Sequence, residues 1–390
     1  MTATPHAPTR PRRSDRPRIS VAHEWLTNWA GSECVARELV NVADPQELVA
    51  SVVVGELARE RFGDLPVRAL WPSTLPGAGT HWARYAPAMM AAWSRTRIDA
   101  DVLLVSSHFA AHAATVHFDG PSIVYYHTPA RILWRTEIEL GRLPSALRRT
   151  VAATVLPSLR GYDRWVAQHP TVALANSCAV ARRIERAYGR RARVVHPPVA
   201  VDEWSTVDRR GGPDGRRGSH LLWLGRLVAY KRPDLAIEAA RRAGLPLVVI
   251  GDGPERKRLE DSAGPGVTFL GHAPRATVRA ALADARALVF PGEEDFGIAP
   301  VEALAAGVPV VAPALGGVLD YLHDGVNGVL APGQDVDDLA AALRAAWSTR
   351  WDHAAIRRSA LPFSVERFRS EIGAVVDATV GTTRARPRAA

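Results

Sequence analysis

The stretch PGEEDFGIAPVEALAAGVPVVA, residues 291–312, decides how the rest of the chain reads. A β-rich apolar run ends at Pro291, and the carboxylates Glu293, Glu294 and Asp295 follow. A helical pattern then opens at Pro300 and closes at Gly307, before a second apolar run over 308–312. Pro in the first helical turn and Gly just past the last follow from the missing N–H of one and the left-handed freedom of the other. Strand, loop, helix and strand in this order form a βαβ unit, which demands a parallel sheet. Parallel sheets bind ligands in the loops beyond the carboxyl ends of their strands. The N–H groups near Phe296, Gly297 and Ile298 therefore face whatever lies above the sheet, and they suit an anion or a ring of hydroxyls. Glu294 and Glu302, eight positions apart, can face that same ligand, because carboxylates accept well from vicinal hydroxyls. A plainer role for Glu302 is to complement the helix dipole, worth a few tenths of a kcal/mol.

Working outward, short β-rich runs alternate with helical patterns along most of the chain. The predicted strands are 18–23, 48–55, 101–106, 122–126, 172–175 and 193–196, then 220–224, 246–251, 267–270, 287–291 and 308–312. The predicted helices are 32–42, 80–97, 145–168 and 179–188, then 233–243, 254–262, 277–285, 300–306 and 336–349. The two series are parted by STVDRRGGPDGRRGS, residues 205–219, whose one aliphatic residue is Val207, so it reads as a linker. The expected organisation is a basic tail over 1–17, one doubly wound Rossmann-like α/β domain over 18–204, and a second over 220–362. A terminal helix over 363–380, crossing back to the first domain, and a second tail over 381–390 complete it. A chain of 390 residues suits two such domains, since single cores stop growing near 250–300 residues.

Charge and cysteine content exclude several classes. The net charge is +9, but residues 1–18 carry +4 and residues 381–390 carry +3, which leaves +2 for everything between. A nearly neutral body argues against nucleic acid. The basic tails read first as solvated tails, and second as a weak attraction to anionic lipid headgroups. Cys34 and Cys178 stand far apart, so neither a disulfide framework nor a zinc cluster is arguable. No apolar run reaches about 18 residues, and ISVAHEWLTN after the basic start is too polar for a signal peptide. The expected location is cytoplasmic, with a peripheral place on the inner face of the cell membrane as the alternative.

The segment EDFGIAPVEALAAGVPVV resembles the E-x7-E signature of the retaining glycosyltransferases built on two Rossmann-like domains, the GT-B fold of family 4. WLGRLVAYKRPDLAIEA, residues 223–239, resembles that family's donor-diphosphate segment, with Arg226 and Lys231 in place. The chemistry also stands alone: an Arg fork and a mobile Lys charge suit a departing diphosphate, and cations at a helix start oppose its dipole unless something anionic sits there. VVIGDGPERKRLE, residues 248–260, resembles a tight Gly-x-Gly-Pro-Glu turn, and VTFLGHAP, residues 267–274, a stretch bordering the nucleotide base, with His272 near it. HEWLTNWAGSECVARELV, residues 23–40, is similar to the family's glycine loop, although Ala30-Gly31 stands where a glycine pair is commoner; Trp25 and Trp29 are expected to flank the cleft.

YYHTPARILW, residues 125–134, resembles a segment of the mannosyltransferase branch, in which the histidine, here His127, touches the donor sugar. The resemblance makes Arg131 a contact for an acceptor phosphate or second sugar, and His108 in SSHFAAHAA a lesser candidate. Asn176-Ser177 reads as a helix N-cap. The helix expected over 80–97 carries Trp82, Tyr85, Met89, Met90 and Trp93, a stripe that reads first as core and second as a membrane-surface face.

The resemblance implies metal-independent transfer of a hexosyl, first of all mannosyl, group from a nucleotide sugar to a hydroxyl of a glycan, a lipid-linked or a small-molecule acceptor, with no cofactor. His127, Arg226, Lys231 and Glu294 would form the reacting set. Gly31, His272, Phe296, Gly297, Ile298 and Glu302 would complete the donor site. GDP-mannose is the favoured donor and a UDP-hexose used on a small-molecule acceptor the alternative. A two-domain epimerase and a non-catalytic nucleotide-sugar-binding protein are the rival readings.

Overall fold

A computed structural model describes residues 17–136, 150, 153–208 and 218–384. Seven strands form the first sheet: β1 (Ile19–His23), β2 (Glu47–Ala50), β3 (Val67–Ala69), β4 (Val102–Ser107), β5 (Ser122–Tyr126), β6 (Val172–Ala175) and β7 (Arg193–Val194). Their spatial order is β3-β2-β1-β4-β5-β6-β7. Six form the second: β8 (His220–Leu224), β9 (Leu247–Ile250), β10 (Val267–Gly271), β11 (Ala285–Val289), β12 (Val310–Pro313) and β13 (Gly328–Ala331), in the order β10-β9-β8-β11-β12-β13. β1 pairs in parallel with both β2 and β4, and β8 in parallel with both β9 and β11. In each sheet the winding therefore reverses beside the first strand, and the loops leaving β1 and β4, or β8 and β11, splay apart there to leave a crevice. The expected fold class, two doubly wound Rossmann-like sheets, is what the chain forms.

By contact the chain divides into two compact units, one of Met1–Val124, Trp165–Val172 and Gly373–Ala390, the other of Tyr125–Arg164 and Ala173–Ile372. In the second unit, alternation along β8 builds two cores, because successive side chains of a strand leave opposite faces of the sheet. Leu221 and Trp223 bury on one face with Leu235, Leu339 and Leu343. Leu222 buries on the other with Leu304, Ile356 and Phe363. The helices on these faces end where their chemistry dictates. Pro233 opens Pro233–Ala243 and Gly244 closes it at φ 70°; Asp335 caps Val336–Ser348 through the Asp338 N–H.

Several elements differ from the sequence reading. The helix expected over 80–97 is three pieces, Ala78–His81, a 3₁₀ turn Trp82–Tyr85, and Ala86–Trp93, because Pro87 has no N–H to continue a helical ladder. Met89 and Trp93 are fully buried. The strand expected over 48–55 stops at Ala50, and Gly55–Phe62 is a helix. The strand over 193–196 shrinks to two residues ahead of Pro197. Strands β3 and β13 and the helices Val201–Ser205 and His353–Ala360 are additional. Of the linker, residues 209–217 lie outside the described residues, as do 1–16 and 385–390 of the tails, 137–144, and 145–149, 151 and 152 of the helix expected over 145–168. The described part of that helix runs Leu156–Val166, and Val207 is buried, its carbonyl accepting from Arg357 at 2.8 Å. The terminal helix runs Val365–Arg384.

Candidate active site

The crevice of the second sheet lies between the loops leaving β8 and β11, and of the sequence-predicted donor residues Arg226, Lys231, Glu294, Phe296 and Gly297 fall on those loops. After β8 the chain turns through Gly225, Arg226 and Leu227, and the Gly251–Gly253 turn after β9 packs directly on it. The Leu227 N–H donates to the Asp252 carbonyl at 2.9 Å, and that of Glu255 to the Leu227 carbonyl at 3.2 Å. A Cβ on Gly251, at φ 139°, would lie 1.7 Å from the Gly225 carbonyl oxygen. The Gly-x-Gly turn is thus the seat of the Arg226 loop, which leaves Arg226 exposed.

Lys231 ends a 3₁₀ turn, Ala229–Lys231, just before the helix that Pro233 opens. Arg232 between them takes a left-handed φ of 53°, a conformation that costs a non-glycine residue about 1 kcal/mol and that the surrounding contacts must hold. Lys231 Nζ donates to Glu294 Oε1 at 2.6 Å. Burial on its own would lower the pKa of the lysine, but the Glu294 carboxylate outweighs it and the pKa is raised. The lysine is thus held charged in a mostly dry place, where a charge-assisted hydrogen bond is strong.

The loop after β11 carries Glu294 and runs into the helix Ile298–Ala305. That helix opens two residues before the expected Pro300, with Gly297 at φ 90° as its N-cap and no capping side chain. Phe296 is buried between His196, Tyr321 and Phe363, and the Tyr321 hydroxyl donates to the Phe296 carbonyl at 2.9 Å. Glu302 is the fifth helical residue rather than part of the first turn, which removes the helix-dipole explanation for it. Its carboxyl lies beside Trp204, Arg275 and Glu203; burial is the main cause that pushes its pKa up to about 6, against the pull of Arg275. Lys231 and Glu294 are brought together, whereas Glu302 has this separate set of neighbours.

The remaining candidates of this unit are distributed as follows. His127 stands immediately beyond β5, its ring edge-on to Tyr125 at 5.2 Å and its carbonyl accepting from Asn176 Nδ2 at 3.0 Å. His272 follows β10 and is exposed. Arg131, expected to meet an acceptor, instead places its guanidinium on Asp295 and over the Tyr230 ring, 5.0 Å from its centre. Ser177 caps its helix as the sequence suggested, accepting from the Val180 N–H at 3.1 Å. Asp295 and Arg183 form part of the site that sequence reasoning passed over.

The first unit has its own crevice between the loops leaving β1 and β4. Gly31 is the first residue of the helix Gly31–Ala43, and the Ala30 N–H ahead of it donates to Glu33 Oε2 at 3.0 Å, the glutamate half of a capping box, Ala30 having no side-chain acceptor of its own. One helix-start donor is therefore taken by the protein itself. Trp25, expected to flank a cleft, is buried, stacked on Trp82 at 4.0 Å with His108 edge-on at 4.6 Å. Trp29 is half-buried under the guanidinium groups of Arg37 and Arg61. Glu24 was missed: it is fully buried, and its Oε1 accepts from Ser107 Oγ and from the N–H groups of His108 through Ala111 at 2.8–3.1 Å. Burial would raise its pKa, but His108 and these N–H donors leave it lowered. The string HEW showed a polar residue at a strand end, but nothing in it indicated five donors from another loop.

This architecture, two doubly wound parallel sheets, is that of the GT-B glycosyltransferases. Apo lipopolysaccharide outer core galactosyltransferase WaaB superposes with a TM-score of 0.67 at 15% identity, covering 93% of this chain and 99% of that one. HepE of Anabaena in complex with UDP superposes with a TM-score of 0.66 at 17% identity, covering 94% and 100%. Residues 216–360, which include the second sheet, match the family model Glycosyl transferases group 1. A D-inositol 3-phosphate glycosyltransferase of Geodermatophilus obscurus is 37% identical over 222 residues, 50% of this chain and 49% of that protein. One from Mycolicibacterium paratuberculosis is 34% identical over 168 residues, 38% of each chain. The chain thus spans about half, or less, of the length of these relatives. Among the described residues no helix is long and apolar enough to cross a membrane.

Proposed function

We propose that the chain is a retaining glycosyltransferase that moves a hexosyl group, in first place mannosyl, from a nucleoside diphosphate sugar to an acceptor hydroxyl without a metal ion. The observation that carries this reading is the 2.6 Å contact of Lys231 with Glu294 beside the Arg226 turn. As the glycosidic bond of the donor breaks, its diphosphate gains charge. A lysine already held protonated and an exposed arginine fork stabilise that charge more in the transition state than before it, which is the condition for catalysis. Glu294 then has two duties: it keeps Lys231 charged and aimed, and its free lone pairs accept from the sugar hydroxyls. Glu302, ionised above about pH 6, accepts from the ribose hydroxyls. His127 lies near the sugar, and the N–H groups at Phe296 to Ile298 meet the sugar or the phosphate.

The paired carboxylates are not the acid and base of a hydrolase. The acceptor hydroxyl attacks on the face that the diphosphate leaves, and a phosphate oxygen takes its proton, so no side-chain nucleophile is assigned. The acceptor is a glycan, a lipid-linked or a small-molecule alcohol, reached in the cytoplasm or at the inner face of the membrane. The names of the curated relatives add inositol phosphates to the acceptors worth testing. The second donor choice is a UDP-hexose, favoured by the HepE complexes with UDP and UDP-glucose.

Titration calorimetry of the purified protein with GDP, UDP, GDP-mannose and UDP-glucose, followed by donor consumption with EDTA present, tests the reading. Binding of one nucleotide and metal-free consumption of its sugar, with the anomeric configuration kept in the product, is the expected result. Binding without any turnover favours the non-catalytic reading, and no binding at all removes both.

A further inference from the structure

Glu294 is flanked by two carboxylates that do something else. Asp295 is 9% exposed, and its carboxylate takes Arg131 Nη2 on one oxygen and Arg183 Nη1 on the other. Arg183 turns its second nitrogen to Glu293 at 2.6 Å, where Arg135 also donates with both nitrogens at 3.3 Å. The Asp295 carbonyl accepts from Ser177 Oγ at 2.5 Å. Beneath the loop, the Gly317 N–H donates to the Glu294 carbonyl at 2.9 Å, and a Cβ on Gly317 would lie 2.1 Å from the Asp295 carbonyl oxygen. The segment is therefore gripped from above by guanidinium forks and from below by backbone.

The grip has a chemical purpose. Glu294 sits in a loop bounded by Gly292 and Gly297, residues that resist rotation least. A carboxylate on such a loop stays 2.6 Å from a lysine only if its neighbours are fixed. The arginine fork suits the task because two nitrogens at a set spacing define an orientation as well as a distance. Burial would raise the Asp295 pKa, but Arg131 and Arg183 outweigh it and the pKa is lowered, so the clamp stays charged in neutral solution.

We propose that Asp295, clamped by Arg131 and Arg183, is a positioning residue: it fixes Glu294 on Lys231 and so sets the rate of sugar transfer without touching the donor. The inference rests on the reading of Glu294 and Lys231 given under Proposed function. It also withdraws Arg131 from acceptor binding, because its guanidinium is already held by Asp295 and the Tyr230 ring.

The test uses Asp295→Asn and the milder Arg183→Lys, whose single nitrogen cannot serve Asp295 and Glu293 together. For each, kcat and KM for the donor, the Kd of the free nucleoside diphosphates GDP and UDP, and hydrogen exchange over residues 291–298 are measured. Asp295→Asn is expected to lower kcat by roughly 10- to 100-fold, the range that about 1 Å of misplacement costs, with nucleotide Kd within about threefold and faster exchange in the loop. Arg183→Lys is expected to fall between this and the unmodified protein. Unchanged kcat in both variants overturns the proposal, and so does a raised KM with kcat kept, which would mean that Asp295 holds the donor itself. If the unmodified protein consumes no nucleotide sugar, the functional reading falls, and exchange alone decides whether Asp295 fixes the segment: faster exchange supports the clamp and unchanged exchange overturns it.

Discussion

Glu302 gives the account a pH signature at the scale of one residue. Its folded pKa of about 6 stands above the ordinary glutamate value of 4.5. A group whose pKa rises on folding binds its proton more tightly in the folded state. Its contribution to stability is therefore complete below the unfolded value and is lost as pH rises through the folded one. Glu302→Gln is accordingly expected to stabilise the protein at pH 7 by at most about 2 kcal/mol, and to lose that advantage near pH 4.5, as read by urea unfolding at both pH values. If the ionised carboxyl holds the ribose, donor KM in the unmodified enzyme falls as pH rises from 5 to 7, and in the glutamine variant it does not. Lys231 makes the opposite point about buried pairs. Lys231→Met removes the partner of Glu294 and is expected to cost about 3 kcal/mol in denaturant unfolding, whereas Glu294→Gln keeps an acceptor oxygen for the lysine and costs less.

At the scale of elements, the turns beyond the strands are the least tolerant parts. Gly251→Ala would place its methyl 1.7 Å from the Gly225 carbonyl oxygen, so either the Arg226 loop moves or the domain does not fold. A loss of more than about 3 kcal/mol in thermal unfolding is expected. Glu24→Gln removes the charge that five donors share on Oε1 and turns an NH2 toward the Ala111 N–H that Oε2 meets, which costs about 2–3 kcal/mol. Because the Glu24 pKa is lowered on folding, its stabilisation is present above the unfolded value and lost as pH falls through the folded one. The deficit of the variant therefore narrows in acid.

These turns also mark how far the sequence could be read. The 291–312 stretch showed a strand, a loop and a helix because its apolar period, its Pro and its Gly all agree. Arg226, Lys231, Glu294 and Glu302 could be singled out because the segments that carry them resemble those of a known family; charge near a helix start supplied only part of the signal, and for Glu302 the helix start lies elsewhere. The helix start was misplaced by two residues because Gly297, not a polar side chain, caps it. Asp295 with Arg183, and Glu24 with residues 107–111, were not legible, since each joins residues more than 80 positions apart and no local pattern records the partner. Trp25 looked like a cleft residue because local sequence does not show the Trp82 ring that covers it.

For the whole molecule, a ligand that binds only the folded state raises stability by mass action. A donor at 100 times its Kd adds about 2.7 kcal/mol, so the true nucleotide should raise the melting temperature of the unmodified protein by a few degrees, and its mismatched base should not. In the doubly wound plan, the switch point of the second sheet gathers cations and carboxylates from separate loops around one crevice. Fold alone does not carry chemistry; the account depends on the Lys231–Glu294 pair acting on a nucleotide sugar. The most direct test follows consumption of GDP-mannose and UDP-hexoses by NMR, with EDTA present, for the unmodified protein and for Glu294→Gln. The account expects the unmodified protein to consume one of these donors and the variant to do so on the order of 100-fold more slowly while still binding the nucleotide. Equal rates in the two proteins would contradict it.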